Sequence, residues 1–310
     1  MSNKKLILIF VGLLVVYLLS RAFFKPKQST FDTHVVSVDT AAVTKIELHP
    51  KAEEGMAIVL NKNGTSWTAT MNDKTVNTPS ARVSGVLGQL SSIESRRIVS
   101  RSEDQWGEYE VDDQGSRVEV YQGDKKVADF VVGAFKFDQA KRTASSYVRP
   151  TDKDDVYLVD GFLSMTFNQR FNTFRDNALV RVNKDDILEF ANQEGGERIA
   201  VSRNPANGHW YRGGMEQLDS AKTAQYLSQI ANLTGSEFAD GPADGTPIQS
   251  FELSGNNLPA PVRVDCYVQA DSTYPFILHS SMNPDNWFLT DSASLYQRIF
   301  GKFEDLLITE

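Results

Sequence analysis

Ala57-Ile58-Val59-Leu60-Asn61-Lys62-Asn63-Gly64-Thr65-Ser66-Trp67 and Ile199-Ala200-Val201-Ser202-Arg203-Asn204-Pro205-Ala206-Asn207-Gly208-His209-Trp210 tell the same story twice. Each opens with a short apolar run, turns at Asn-Gly and re-enters a strand that carries a tryptophan. Asn-Gly accommodates the positive φ angles of a tight hairpin, so each stretch predicts two antiparallel strands. Upstream, Ile46-Glu47-Leu48 and Leu188-Glu189-Phe190 supply a preceding strand at matching distances: 20 residues from Glu47 to Trp67, and 21 from Glu189 to Trp210.

Downstream, both copies change period. Val83, Val86, Leu87, Leu90 and Ile93 recur at helical spacing after Thr78-Pro79 or Ser80. Ala224, Leu227, Ile230 and Leu233 do the same after Asp219 and Ser220, which are good caps. Alternating segments follow at Val118–Gln122, Val127–Val132, Val262–Val268 and Phe276–His279. Val156–Asp160 then corresponds to Trp287–Asp291, and Phe171-x-x-Phe174-x-Asp176 to Phe300-x-x-Phe303-x-Asp305.

A period of this length marks an internal duplication. The expected class is α+β: an N-terminal transmembrane helix, then two tandem repeat units, each an antiparallel sheet with a long packed helix. The expected division is a membrane anchor at 1–27, a tether at 28–39, the first unit at 40–181 and the second at 182–310. A helix set between runs of hairpin strands argues against a parallel doubly wound sheet, which needs regular alternation of strand and helix.

The anchor rests on Leu6–Leu19, fourteen residues without a polar side chain, in which Leu6, Leu13, Leu14 and Leu19 stand out. Carried on to Phe24, the stretch reaches roughly 28 Å as a helix, enough to span a bilayer. A cleaved signal peptide is the rival reading, with Ser20-x-Ala22 as its small-residue cleavage site. Positive charges before and after the run are balanced, so orientation follows from the large body behind it, which is expected to be exported. The predicted location is the cell membrane, single-pass, with an extracytoplasmic (periplasmic) body.

Charge sharpens this division. Of 310 residues, 32 are Lys or Arg and 40 Asp or Glu; residues 1–27 hold five bases and no acid, leaving a body of −13. Such a body repels phosphate backbones, so no nucleic-acid partner is expected. The single cysteine, Cys266, excludes an internal disulfide and a multi-cysteine metal site.

Residue by residue, the sequence carries no catalytic signature. His34, His49, His209 and His279 are scattered, without the spacing of a helical metal site. Cys266 stands beside Asp265, opposite to the electropositive setting a reactive thiolate needs. Phosphate-binding, dinucleotide and nucleophile-elbow motifs are absent from the sequence. Asp152–Asp155 and Asn183–Asp186 resemble calcium loops only in composition and read as solvated turns. No catalytic, cofactor or metal residue is therefore assigned, no cofactor is expected, and the chain is read as a non-enzyme.

The aromatics divide into two groups. Trp67, Trp210, Phe171, Phe174, Phe300 and Phe303 are expected in the cores, with Asp176 and Asp305 tying the terminal turns. Trp106 and Tyr109 lie among acids that include Glu108 and Glu110. They form a candidate partner-binding patch, or else a packing plug beneath a loop.

The apolar N-terminus, the duplicated strand–hairpin–Trp–helix module and Phe174-Arg175-Asp176 together resemble a domain-of-unknown-function family. Its members are membrane-anchored bacterial proteins often encoded beside gliding-motility-type ABC transporters. The resemblance covers nearly the whole chain; where that family carries Tyr-Gly-Leu after the first helix, this sequence has Trp106-Gly107-Glu108-Tyr109. It implies a non-catalytic, membrane-anchored extracytoplasmic module assisting an ABC-type transport or gliding-associated complex. The implied partner is an ABC-type permease or another membrane-complex subunit. Two alternatives stay open: a tethered cell-envelope hydrolase using an Asp/Glu pair, and a ligand-binding domain with a pocket between its two units.

Overall fold

Hairpin after hairpin forms wherever apolar alternation is bounded by Gly, Asn or Asp. The computed structural model describes residues 34–301 and 303–308. Its first large sheet comprises β1 (His34–Val36), β2 (Lys45–His49), β3 (Ile58–Asn63), β4 (Ser66–Met71), β5 (Lys74–Thr78), β6 (Ile93–Ser100), β7 (Ser116–Gln122), β8 (Lys125–Asp138), β9 (Thr143–Pro150) and β10 (Val156–Asp160). Their spatial order is β1-β6-β10-β9-β8-β7-β2-β3-β4-β5. At the β3–β4 turn Asn63 faces Ser66, and Gly64 takes φ 62°, the left-handed conformation anticipated from Asn-Gly.

β11 (Ala178–Arg181) follows, then β12 (Ile187–Glu194), β13 (Glu197–Arg203), β14 (Trp210–Arg212), β15 (Glu216–Gln217), β16 (Asn232–Thr234), β17 (Glu237–Phe238), β18 (Gln249–Gly255), β19 (Val262–Val268), β20 (Phe276–Ser280) and β21 (Asn283–Thr290). β11 and β16 make a two-stranded sheet, and the rest form a nine-stranded sheet ordered β15-β14-β13-β12-β18-β19-β20-β21-β17. The strand pairings are antiparallel in all three sheets.

The two large sheets trace the same path. From β6 the first runs β6-β10-β9-β8-β7-β2-β3-β4-β5; from β17 the second runs β17-β21-β20-β19-β18-β12-β13-β14-β15. One helix interrupts each path at the same place: α1 (Ser80–Leu90) after β5 and, beyond the short α2 (Leu163–Phe167), α3 (Ser220–Ile230) after β15. α2 and α4 (Leu295–Phe300) close the two series, each followed by a 3-10 turn, at Phe171–Phe174 and Phe303–Leu306. Element by element, Phe171 thus stands against Phe303, three residues away from the alignment that the Phe-x-x-Phe-x-Asp similarity suggests. Phe300 ends α4 and is only partly buried, whereas Phe303 is 4% exposed.

The α+β expectation is corrected here: the described chain is mostly β. α1 and α3 have eleven residues each, roughly 16 Å of helix, too little to form a layer over sheets of ten and nine strands. Helical periodicity is conspicuous in sequence, while the same length of hairpin strand leaves a fainter alternation, and the helix is overweighted in consequence. The expected N-terminal transmembrane helix, with Leu6, Leu13, Leu14 and Leu19, lies outside the described residues. Among the described residues, no helix is long and apolar enough to cross a membrane.

Two cores hold the sheets. α1 buries Val83, Val86 and Leu90 with Trp67, Phe130 and Phe167 of the first core. α3 buries Leu227 and Ile230 in the second, capped by Asp219, whose carboxylate accepts from the backbone N–H of Ala221 and Lys222. Leu179 and Val180 of β11 belong to that second core, so the connecting segment is fastened forward, onto the later half.

Candidate functional site

The acidic stretch is seated on the first sheet. Glu103–Tyr109 forms a 3-10 turn whose Trp106 Nε1 donates to the Asp154 carbonyl at 3.1 Å. The Arg149 guanidinium stacks 3.7 Å from the Trp106 ring centre, and Tyr109 meets Tyr147 at 4.7 Å between centroids. Both rings pack against Val111, Val131 and Val156. Arg149 is 8% exposed and donates from Nε to the Val111 carbonyl; burial lowers its pKa. Gly133 of β8 allows the loop this close, since a Cβ there would stand 2.1 Å from the Tyr109 carbonyl oxygen. Of the four patch residues read from sequence, the two rings serve packing and Glu110 pairs with Lys51 at 3.0 Å. Glu108 is exposed.

A different aromatic group faces outward. β8 shifts register against β9 between Val132 and Phe135, then continues as the hairpin arm that ends at Asp138. Phe135 (42% exposed), Phe137 (47%) and Phe162 (48%) line up there beside Met165 (61%). Phe135 stacks on Phe162 at 5.2 Å and on Phe137 at 6.5 Å. Lys136, Lys141 and Arg142 are exposed around the same arm. Sequence reasoning passed over this ridge, although Phe135-Lys136-Phe137 on the far end of a long strand is a legible signal of an apolar outer face.

The third feature lies where the two halves meet. Phe174-Arg175-Asp176 follows the 3-10 turn after α2 and divides its labour. Phe174 is 1% exposed in the first core. Asp176 accepts from the Ala178 N–H at 3.0 Å and pairs with Arg181, tying the entry to β11; Asp305, its proposed counterpart, is exposed. Arg175 between them is 3% exposed. Its Nε donates to Asn286 Oδ1 of β21 at 2.8 Å, its Nη1 to Asn172 Oδ1 at 3.1 Å, and its plane lies 3.9 Å from the Phe238 ring centre. Asn286 in turn donates to Asn283, which donates to the Asp176 and Ala178 carbonyls at 2.8 Å each. The Arg175 Nη2 is buried without a partner. Burial holds its pKa down at about 10, with Asp240 acting weakly the other way.

Lys74, the first residue of β5, reaches across to the Asp240 and Ala239 carbonyls at 3.0 and 3.4 Å. Its pKa is lowered by burial and then by the Arg175 charge. A cavity of about 680 Å³ opens here, lined by Lys74, Arg170, Phe171, Arg175, Asp73 and Asp240 among others.

Other candidates from sequence find ordinary places. Cys266 is fully buried, and burial pushes its thiol up to about 12. His279 stacks on Trp287 at 4.0 Å, and His49 Nδ1 meets the Gly55 carbonyl at 3.2 Å. Asn183 caps the short turn Lys184–Asp186. Among the described residues, no group of His, Cys, Asp and Glu is arranged to hold a metal. The buried Glu119 and the half-buried Asp129 share Arg117 and Lys126 at 2.5–3.5 Å. Burial would raise the Asp129 carboxyl, but hydrogen bonds from Arg117 and Lys126 hold it at about 2. So held, Asp129 is not the raised acid that glycosidase chemistry requires.

A family model described as Domain of unknown function (DUF4340) matches residues 73–250. That span runs from the β4–β5 turn through the Phe-Arg-Asp junction to β18. No curated protein and no solved structure matches the chain.

Proposed function

We infer the role of this chain, which belongs to the DUF4340 domain-of-unknown-function family, from its own surfaces: it is a non-catalytic docking module. It assists an ABC-type transport or gliding-associated complex from the extracytoplasmic side of the cell membrane. The observation that carries this reading is the ridge of Phe135, Phe137 and Phe162 beside Met165. Stacked aromatics left 42–48% exposed, two on the end of β8 and one at the start of α2, are an apolar surface suited to a partner. The apolar run Leu6–Leu19 and the −13 body support membrane targeting followed by export. The family resemblance read from the sequence supports a permease or another membrane-complex subunit as the partner.

The test is photocrosslinking in intact cells from a benzophenone side chain placed at Phe137, followed by copurification from solubilised membranes. The reading predicts a crosslink to a membrane-embedded transporter subunit, lost in the Phe135→Ser, Phe162→Ser double variant while the melting temperature holds. Recovery of only uncrosslinked chain from membranes would overturn it.

A further inference from the structure

We propose that the cavity at the Phe-Arg-Asp junction binds a small-molecule carboxylate, held between Arg175 Nη2 and Lys74 Nζ. The proposal shares no residue with the aromatic ridge and stands or falls independently of it.

A guanidinium that is 3% exposed is costly unless its charge is answered. Here its protein partners are neutral: two asparagine amides and an aromatic face. Asn286 and Asn172 use Nε and Nη1, which fixes the plane of the group and leaves the two Nη2 protons unused. Packing therefore holds a buried donor in a set orientation, on a residue that lines the cavity, with no partner for it among the described residues. Structural arginines are ordinarily closed by a carboxylate or a carbonyl; the missing acceptor points to one brought from outside.

Lys74 completes the pair. Two of its three protons go to the Ala239 and Asp240 carbonyls, which pin the ammonium at the cavity and leave one donor. These contacts also draw the two charges together from different halves: Lys74 from the edge of the first sheet, and Arg175 fastened to β21 of the second.

The lining selects the anion's charge. Lys74, Arg170 and Arg175 are balanced by Glu53, Asp73 and Asp240. With those acids in the wall each added negative charge raises the repulsion, so a dianion such as phosphate is disfavoured relative to a monoanion. Met71 and Phe171 supply apolar wall, and about 680 Å³ accommodates a ligand larger than the carboxylate itself. A short-chain or acylated amino-acid carboxylate fits this description.

Isothermal titration of the full-length chain in detergent tests it with three probes: N-acetyl-L-alanine, its uncharged amide, and inorganic phosphate. Saturable binding of N-acetyl-L-alanine is expected with a Kd near about 1 mM, as befits so small a probe. The amide should give none, and phosphate should bind about tenfold more weakly. Lys74→Gln keeps a donor for the Ala239 and Asp240 carbonyls and should melt like the parent while losing about tenfold in affinity. Arg175→Met should abolish binding, and the ridge variant should bind normally. Equal affinity for phosphate, undiminished binding by Lys74→Gln, or no heat from either anion at about 10 mM would each overturn the assignment.

Discussion

Removing the neutral partner of Arg175 should harm the protein more than removing its charge. Asn286 is fully buried, accepts from Arg175 Nε at 2.8 Å and donates to Asn283 at 2.8 Å. Asn286→Ala leaves a buried cationic donor unsatisfied, at about 1.5–3 kcal/mol, and strips Asn283 Oδ1 of its donor for about 1 more. The expected loss is about 3 kcal/mol, or roughly 5 °C for a chain of this size. Arg175→Met keeps the stem and deletes the charge. Because a well-filled apolar replacement of a buried ion is often neutral or better, it should change stability by only about 1 kcal/mol. In that background Asn286→Ala should cost only about 1, giving a coupling near 2 kcal/mol. Urea unfolding of the four proteins, followed in parallel by circular dichroism and tryptophan fluorescence, measures the cycle. A coupling below about 0.5 kcal/mol, or an Arg175→Met loss exceeding that of Asn286→Ala, would refute the account of a buried guanidinium hydrogen-bonded only to neutral partners.

Three further outcomes follow from the geometry. Gly133→Ala puts a methyl 2.1 Å from the Tyr109 carbonyl and 2.8 Å from that of Glu110, so it should destabilise by about 3 kcal/mol. Amide hydrogen exchange should localise the loss of protection to residues 103–113. Asp129 has a folded-state pKa of about 2, below the ordinary 3.8. Its contribution is therefore complete above pH ~4 and fades as the pH falls towards ~2; screening by its half-exposed partners limits it to about 1 kcal/mol. Asp129→Asn should flatten the acid limb of the stability profile over that interval. Cys266, buried with its thiol raised to about 12, should resist Ellman's reagent at pH 8 in the native protein and react once urea unfolds it.

The sequence carried the parts whose signals are local. Gly64 announced its hairpin because the left-handed turn conformation is a local preference of glycine, although Asn63 stays in the strand opposite Ser66; Asp219 announced its helix because a cap needs only its own neighbours. Trp67 and the 3.6-residue periodicity likewise mark buried faces within one element. Even the shared path of the two sheets was foreshadowed, through the recurrence of strand, Asn-Gly turn, tryptophan strand and helix.

What pairs across long distances was decided only in three dimensions. Trp106 and Tyr109, among acidic neighbours, read either as partner-binding anchors or as a packing plug beneath a loop. They pack inward because Arg149 and Tyr147, some forty residues along, present a guanidinium and a ring to receive them. Phe135 and Phe137, to which the sequence assigns no place, face solvent on the arm beyond the register shift after Val132, and Phe162 stacks against Phe135. Arg175 is the sharpest case. Its motif was visible as three letters, but its neutral hydrogen-bond and ring partners include Asn286 and Phe238 arriving from the other half of the chain. Local chemistry writes turns, caps and faces into sequence. Burial and charge compensation belong to the whole assembly of strands, and they appear only when the halves close on one another.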